Sequence, residues 1–294
     1  MDTTAIKSVQ SEGAVASAAH PAAGDEAYWR RREAINAAVA ARGEGAPIPL
    51  VDYLEEEDAV WRQVSEVLGP RHRRHACTAF LDGVTRLDLP RDRIPQLREV
   101  DRCLRALTGF SIRPVGGLVG PTEFYGSLAE RAFCSTQYVR HHATPFYTPE
   151  PDIVHELIGH ATMLAEPDLA ALYQLAGTAS RRAESESALD FFSRVFWFAL
   201  EFGVVLEEGR PKAYGAGLLS SCGEIEAFTA AEMRPFDLAA MGTTDYDITH
   251  YQPLLFLAPS FSEMTGRLGE FFSAFDDELA ERLRREAQES QLRR

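Results

Sequence analysis

Apolar and polar positions change rhythm several times along this chain, and each change marks an element. From Asp25 to Arg42 the apolar residues Tyr28, Trp29, Ile35 and Val39 fit a helix, which Gly43, Gly45, Pro47 and Pro49 stop. A second helical stretch runs from Glu55 to Leu68 and ends at Gly69-Pro70. A third covers Arg74 to Leu87, and a fourth covers 95–108 and closes at Gly109. Residues 110–150 differ. FSIRPVGGLVGPTEFYG mixes Gly and Pro with β-branched residues and predicts short strands and loops, and AFCSTQYVRHH is a strand candidate. Pro149 and Pro151 then force extended backbone, and Asp152 is suited to cap the helix VHELIGHATML. A long helix is expected from Ser187 to Glu207. Its segment FFSRVFWFALEFGVV is apolar nearly all round, as in a buried helix. Gly209 and Pro211 end it. Further helices are expected over 222–233 and 260–287. The pattern predicts a mainly α fold with a few short strands, forming one domain over 25–294. Residues 1–24, rich in Ala, Ser and Gly, are expected to be a mobile tail.

Composition narrows the function classes. The chain has 294 residues, with 44 Asp plus Glu against 30 Lys plus Arg, a net charge of −14. Such a surface argues against nucleic acid and anionic membranes as partners. The longest apolar runs are far shorter than the roughly 20 residues that span a bilayer. The N-terminal segment lacks the basic and apolar regions of a signal peptide. The four cysteines form no CxxC pair, which suits reduced thiols and a cytoplasmic location.

The candidate chemistry centres on His155-Glu156-Leu157-Ile158-Gly159-His160. It is one residue longer than the HExxH zinc-protease motif. Histidines at i and i+5 stand about 140° apart on an ideal α-helix, so straight geometry does not converge them on one ion. Gly159 offers a remedy, because it tolerates the backbone of a wider turn. Two histidines hydrogen-bonded in a core are the alternative. Glu201 adds weight to a metal site. It is the only acidic side chain between Asp190 and Glu207, inside an otherwise apolar helix. Burying it costs several kcal/mol unless it is paired or metal-bound. Two imidazoles and one carboxylate leave open positions and suit a non-haem Fe(II) oxygenase. An arginine partner for Glu201 is the competing explanation.

YTPEPDIVHELIGH, VFWFALEFGVV and KAYGAGLLSSCGE together resemble the pterin-dependent aromatic amino acid hydroxylases. TGFSIRPVGGL, FCSTQYVRH, YQPLLFLAPSF and IPQLREV are similar to that family as well, so the likeness runs from about Tyr28 to Phe272. It implies the family's catalytic-domain fold without its regulatory and tetramerisation segments, hence a monomer or weak dimer. It also implies one Fe(II) on His155, His160 and Glu201, a tetrahydropterin, and O2 as co-substrate. On the pterin side the resemblance implies Phe124 stacking on the ring, Gly117 and Val119 beside it, and Glu156 near the iron. Cys134 stands where the family often has His or Gln, and Phe196 where it often has Tyr.

For the amino acid the resemblance implies Arg140 on the carboxylate, a job suited to a guanidinium fork. It puts Thr148 and Ser220 at the amino acid backbone, and Pro151, Trp197 and Phe202 around the ring. Trp197 matches the phenylalanine and tyrosine hydroxylases. Ile248 falls where tyrosine hydroxylases carry Asp, and a buried hydroxyl without a partner is penalised. Ile248 and PFYTPEPD also resemble the tryptophan enzymes. The expected substrate is L-phenylalanine, hydroxylated at the para carbon with the meta carbon as the alternative, and tryptophan and tyrosine are the alternative substrates. A zinc-dependent hydrolase with Glu156 as base is the remote alternative.

Overall fold

The structure, a computed structural model, describes residues 20–43 and 45–292. Helices dominate, and the strands of the described residues form two small sheets. The expected tail 1–24 lies mostly outside the described residues, but 20–24 form a turn. His20 and Ala22 are buried, and Ala22 O accepts from Trp29 Nε1 at 3.0 Å. Packed structure therefore starts before Asp25, through a small residue and an imidazole rather than large apolar side chains.

Helix Glu26–Ala40 matches its pattern, and Asp25 caps it by accepting from Tyr28 N at 3.0 Å. Helix Glu55–His75 does not stop at Gly69-Pro70. Proline removes one interior hydrogen bond and costs about 3 kcal/mol. Buried Leu68 and His72, either side of Pro70, help to offset that. The break comes at Ala76-Cys77, where Cys77 N donates to Ala213 O at 2.9 Å. Helices Thr78–Leu87 and Leu97–Leu107 follow.

The 110–150 region is only partly strand and loop. β1 (Ser111–Pro114) and β2 (Ala132–Ser135) pair in parallel, but Pro121–Ala129 between them is a helix. Pro121 opens that helix, where a missing N–H costs nothing. The stretch expected as one helix over 187–207 is helix Glu186–Phe196, a π-helix Trp197–Glu201, and then strand β3 (Val204–Glu207). Residues 222–233 form only a short helix, Glu224–Ala227, and a 3₁₀ turn before β5 (Glu232–Pro235). Residues 260–287 are split between Phe261–Ala274 and Asp277–Leu292.

The second sheet runs β4 (Arg210–Ala213), β3, β6 (Leu254–Ala258), β5, with Val204 of β3 opposite Leu257 of β6. Helix Pro167–Ser180 has no counterpart in the pattern read above; Glu166 caps it by accepting from Leu169 N at 2.9 Å. One continuous apolar cluster reaches from Ile48 to Ala280, and the segments bearing His155, His160 and Glu201 pass through it. Among the described residues no helix is long and apolar enough to cross a membrane.

Candidate metal centre

His155–Ala161 and Trp197–Glu201 are both π-helices. Their hydrogen bonds run from i to i+5, so each turn takes in one more residue than an α-turn. Phe202 N donates to Trp197 O at 2.9 Å in that pattern, and Thr162 Oγ1 reinforces the first segment by donating to Leu157 O at 3.0 Å. The wider turn answers the six-residue spacing by returning His155 and His160 to one face. Gly159 contributes differently from expected. Its φ is not in the left-handed region; instead a Cβ there would lie 2.8 Å from Ala216 O. Glycine lets helix Ala216–Ser220 press against the π-turn, and that helix delivers Ser220.

One ligand atom each from His155, His160 and Glu201 lie within 4.8 Å of one another. His160 Nε2 stands 3.1 Å from Glu201 Oε1 and 3.1 Å from His155 Nε2; His155 Nε2 is 3.8 Å from Glu201 Oε2. No arginine pairs with Glu201 among the described residues, which removes the competing explanation.

The other ring nitrogens are held from behind. His155 Nδ1 lies 2.8 Å from Ser220 Oγ, and Ser220 Oγ donates to Ala216 O at 2.8 Å. The hydroxyl's only hydrogen is thus used, so His155 Nδ1 donates and Nε2 keeps its lone pair. His160 Nδ1 lies 2.8 Å from Tyr173 Oη, whose own hydrogen faces Met163 Sδ at 3.6 Å. The same assignment follows for His160. Burial, and then His160, hold the His155 imidazole down to about 4. Two facing lone pairs at 3.1 Å beside a carboxylate repel unless a cation lies among them. The donor set therefore fits a divalent ion, and two nitrogens with one oxygen suit iron.

Glu156, next to His155 in the chain, is buried. Burial first, and then Glu201 and Asp152, push its carboxyl well above the usual range. Of the residues expected at a pterin, Phe124 and Phe196 are linked to this face through the rings that touch His160, those of Phe133 and Tyr173. Phe133 lies 4.9 Å from His160 by ring centroid, and half-buried Phe124 is 6.0 Å from both Phe133 and Phe196. Cys134 is buried with its thiol 3.4 Å from Ser127 Oγ. Gly117 and Val119 are half-buried in the loop after β1, where a Cβ on Gly117 would meet nothing within 4 Å.

Arg140 is buried and held by Asp152, through Nε at 2.9 Å and Nη2 at 2.7 Å. Its Nη1 has no partner among the described residues, so the outer edge of the guanidinium remains for a carboxylate. Asp152 Oδ1 also accepts from His155 N at 3.2 Å, joining the Arg140 site to the metal face. Ser220 Oγ, with His155 on one lone pair and its hydrogen on Ala216 O, keeps one lone pair free. Thr148 Oγ1 donates to Glu150 O at 2.8 Å, and Pro151 O accepts from Tyr138 Oη at 2.8 Å. Trp197 stacks on Tyr246 at 4.3 Å and lies 4.6 Å from Phe202. Ile248 is 62 % exposed on the adjoining loop.

The residue-by-residue reading missed four of these positions. Tyr173 sits on the helix it passed over, though a tyrosine in an apolar helix signals a buried hydroxyl in need of a partner. Asp152 was assigned only a cap. Tyr246 and Gln252 carry no local signal; Gln252 Oε1 accepts from Trp197 Nε1 at 3.2 Å across 55 residues.

Comparison with known proteins agrees with this geometry. The family model described as biopterin-dependent aromatic amino acid hydroxylase matches residues 1–289. A phenylalanine 3-hydroxylase of Streptomyces coeruleorubidus is 45% identical over 254 residues, 86% of this chain and 91% of that protein. A tyrosine 3-monooxygenase of Caenorhabditis briggsae is 40% identical over 263 residues, 87% of this chain but 51% of that protein. The chain thus spans about half the length of that relative. The phenylalanine hydroxylase structure from Legionella pneumophila superposes with a TM-score of 0.75 at 31% identity, covering 80% of this chain and 93% of that one. The chain belongs to the biopterin-dependent aromatic amino acid hydroxylases, monooxygenases that work with iron and a pterin.

Proposed function

We propose that this chain hydroxylates the ring of L-phenylalanine with O2, at the meta carbon, using Fe(II) held by His155, His160 and Glu201. The observation that carries this reading is the donor set. Two imidazole lone pairs and one carboxylate converge, each imidazole fixed by a hydroxyl behind it. Iron and tetrahydropterin together supply the reductive activation of O2 that the side chains cannot provide.

The side chains bind, orient and exclude water. The free edge of Arg140 takes the amino acid carboxylate, and Asp152 stops the guanidinium from turning. Ser220 accepts from the ammonium through its remaining lone pair, and Thr148 and Pro151 border the same end. Trp197, Phe202 and Tyr246 form an aromatic wall for the ring. Ile248 offers no acceptor for a ring hydroxyl, which disfavours tyrosine. Phe124 stacks on the pterin, with Gly117, Val119 and Glu156 at its edges. Phe196 supports Phe124 from the core, and Cys134 supplies a weak donor. The relative named phenylalanine 3-hydroxylase, matched over 91% of its length, supports the meta position. The four unpaired cysteines support a reducing, cytoplasmic location.

The test is anaerobic loading with Fe(II), then tetrahydrobiopterin and O2 with L-Phe, L-Tyr or L-Trp in separate tubes. Meta-tyrosine from L-Phe is the expected product. Para-tyrosine would keep the substrate and overturn the ring position. A hydroxylated product from L-Trp or L-Tyr alone would overturn the substrate.

A further inference from the structure

A cavity of about 310 Å³ adjoins the metal-bearing segment through Ile158 and Thr162, and neither Arg140 nor Trp197 lines it. Its apolar lining includes Trp61, Leu68, Phe80 and Ile158. Ile158 belongs to the His155–Ala161 π-helix, so the cavity borders the segment that carries both histidines. A second link runs through His72. Its Nε2 lies 2.7 Å from Leu219 O, next in the chain to the Ser220 that holds His155.

Trp61, Thr85 and Thr162 spend their polar hydrogens on backbone carbonyls, but four other groups around the cavity keep unused bonding capacity. Leu219 O can only accept, so His72 Nε2 carries the ring hydrogen. The Nδ1 lone pair of this 7 % exposed side chain then has no donor among the described residues. At the rim, a Cβ on Gly69 would stand 3.7 Å from Arg91 Nη1 and 3.9 Å from Arg73 Nη1. Two guanidiniums thus converge over a residue with no side chain. Neither has a hydrogen bond or ion pair among the described residues. Asp88, on the same rim, also has an unpaired carboxylate.

We propose that this cavity is a second small-molecule site, which takes a carboxylate carried on an aryl or branched-alkyl body. The carboxylate lies between Arg73 and Arg91, where charge-assisted bonds are strongest. The apolar body lies against Trp61 and Phe80, in a volume typical of small-ligand sites. His72 Nδ1 accepts from any donor on that body. An amino acid would add an ammonium for Asp88, whereas a simple aryl acid would leave Asp88 to solvent.

The test is calorimetric titration of the full iron-loaded chain with 3-phenylpropanoate, and separately with L-phenylalanine. The comparison is the double variant Arg73→Ala/Arg91→Ala. Both arginines are exposed and unpaired, so the variant should keep its Tm and its hydroxylation rate. The wild type is expected to take up one more equivalent of 3-phenylpropanoate than the double variant, or to hold that equivalent at least about tenfold more tightly. The same difference with L-phenylalanine would identify an amino acid as the natural class; its absence there would identify a simple acid. Equal uptake and affinity of 3-phenylpropanoate in the two proteins would overturn the site.

Discussion

The metal face and the loop over residues 243–251 border the same cleft but are built by opposite means. On the metal face His160 is buried, and each imidazole is fixed by a hydroxyl that is itself bonded. The loop is open: Tyr246 is 37 % exposed, Ile248 62 % and Tyr251 56 %. Much of its anchorage comes from Gln252. That side chain donates to Asp247 O at 2.8 Å and His250 O at 3.1 Å, while its backbone N–H donates to Glu224 Oε1 at 2.7 Å. The oxygen chemistry needs a geometry that does not yield. The loop, by contrast, is a segment that can change without disturbing the ligands.

The comparison is broken most severely at Ser220. In Ser220→Ala, His155 loses the acceptor that fixes its tautomer. Iron affinity should fall about 10- to 100-fold, the usual cost of removing an outer partner of a metal ligand, while KM measured at saturating iron changes less. A Kd for Fe(II) equal to wild type would show that the ligand is not held from behind. Gln252→Ala should do the reverse. Iron affinity stays constant, and KM for the amino acid rises about fivefold, equivalent to roughly 1 kcal/mol for the lost hydrogen bonds. An iron defect in this variant would erase the distinction between the two regions.

The smallest effect is a pH dependence at the loop's anchor. Burial pushes the Glu224 carboxyl up to about 7. The folded chain therefore keeps this proton where the unfolded chain has released it, and the stability it contributes is lost as pH rises from about 4.5 to 7. Burial moves His72 the other way, down to about 4. The unfolded chain then binds the extra proton, so stability rises with pH between about 4 and 6.5. Glu224→Gln isolates the first effect: its Tm relative to wild type should improve from pH 5 to pH 8. A difference that does not vary with pH would contradict the assignment.

The metal site was more legible in sequence than the fold around it. A solitary Glu201 in an apolar helix is costly unless it has a purpose, and that cost is visible in the residue pattern alone. The HxxxxH spacing also signalled an abnormal turn, though Gly159 serves close packing against Ala216 rather than unusual φ. The long helix was misread at its end because Val204 and Val205 are apolar in either structure. Only the pairing of β3 with β4 and β6 makes them a strand. Pro70 was misread as a stop because local propensity does not register what the next turn buries. Gln252 and Tyr246 were invisible because they meet Trp197 through tertiary contacts about 50 residues away in sequence.

Anaerobic Fe(II) titration of wild type and Glu201→Ala, with metal content and L-phenylalanine turnover measured on the same samples, tests the central claim most directly. The wild type should bind one tight iron and form a tyrosine isomer in proportion to it. Glu201→Ala should stay folded, bind iron far more weakly and form no product. A Glu201→Ala protein that binds iron as tightly as wild type and still hydroxylates L-phenylalanine would contradict the assignment of this face as the metal site.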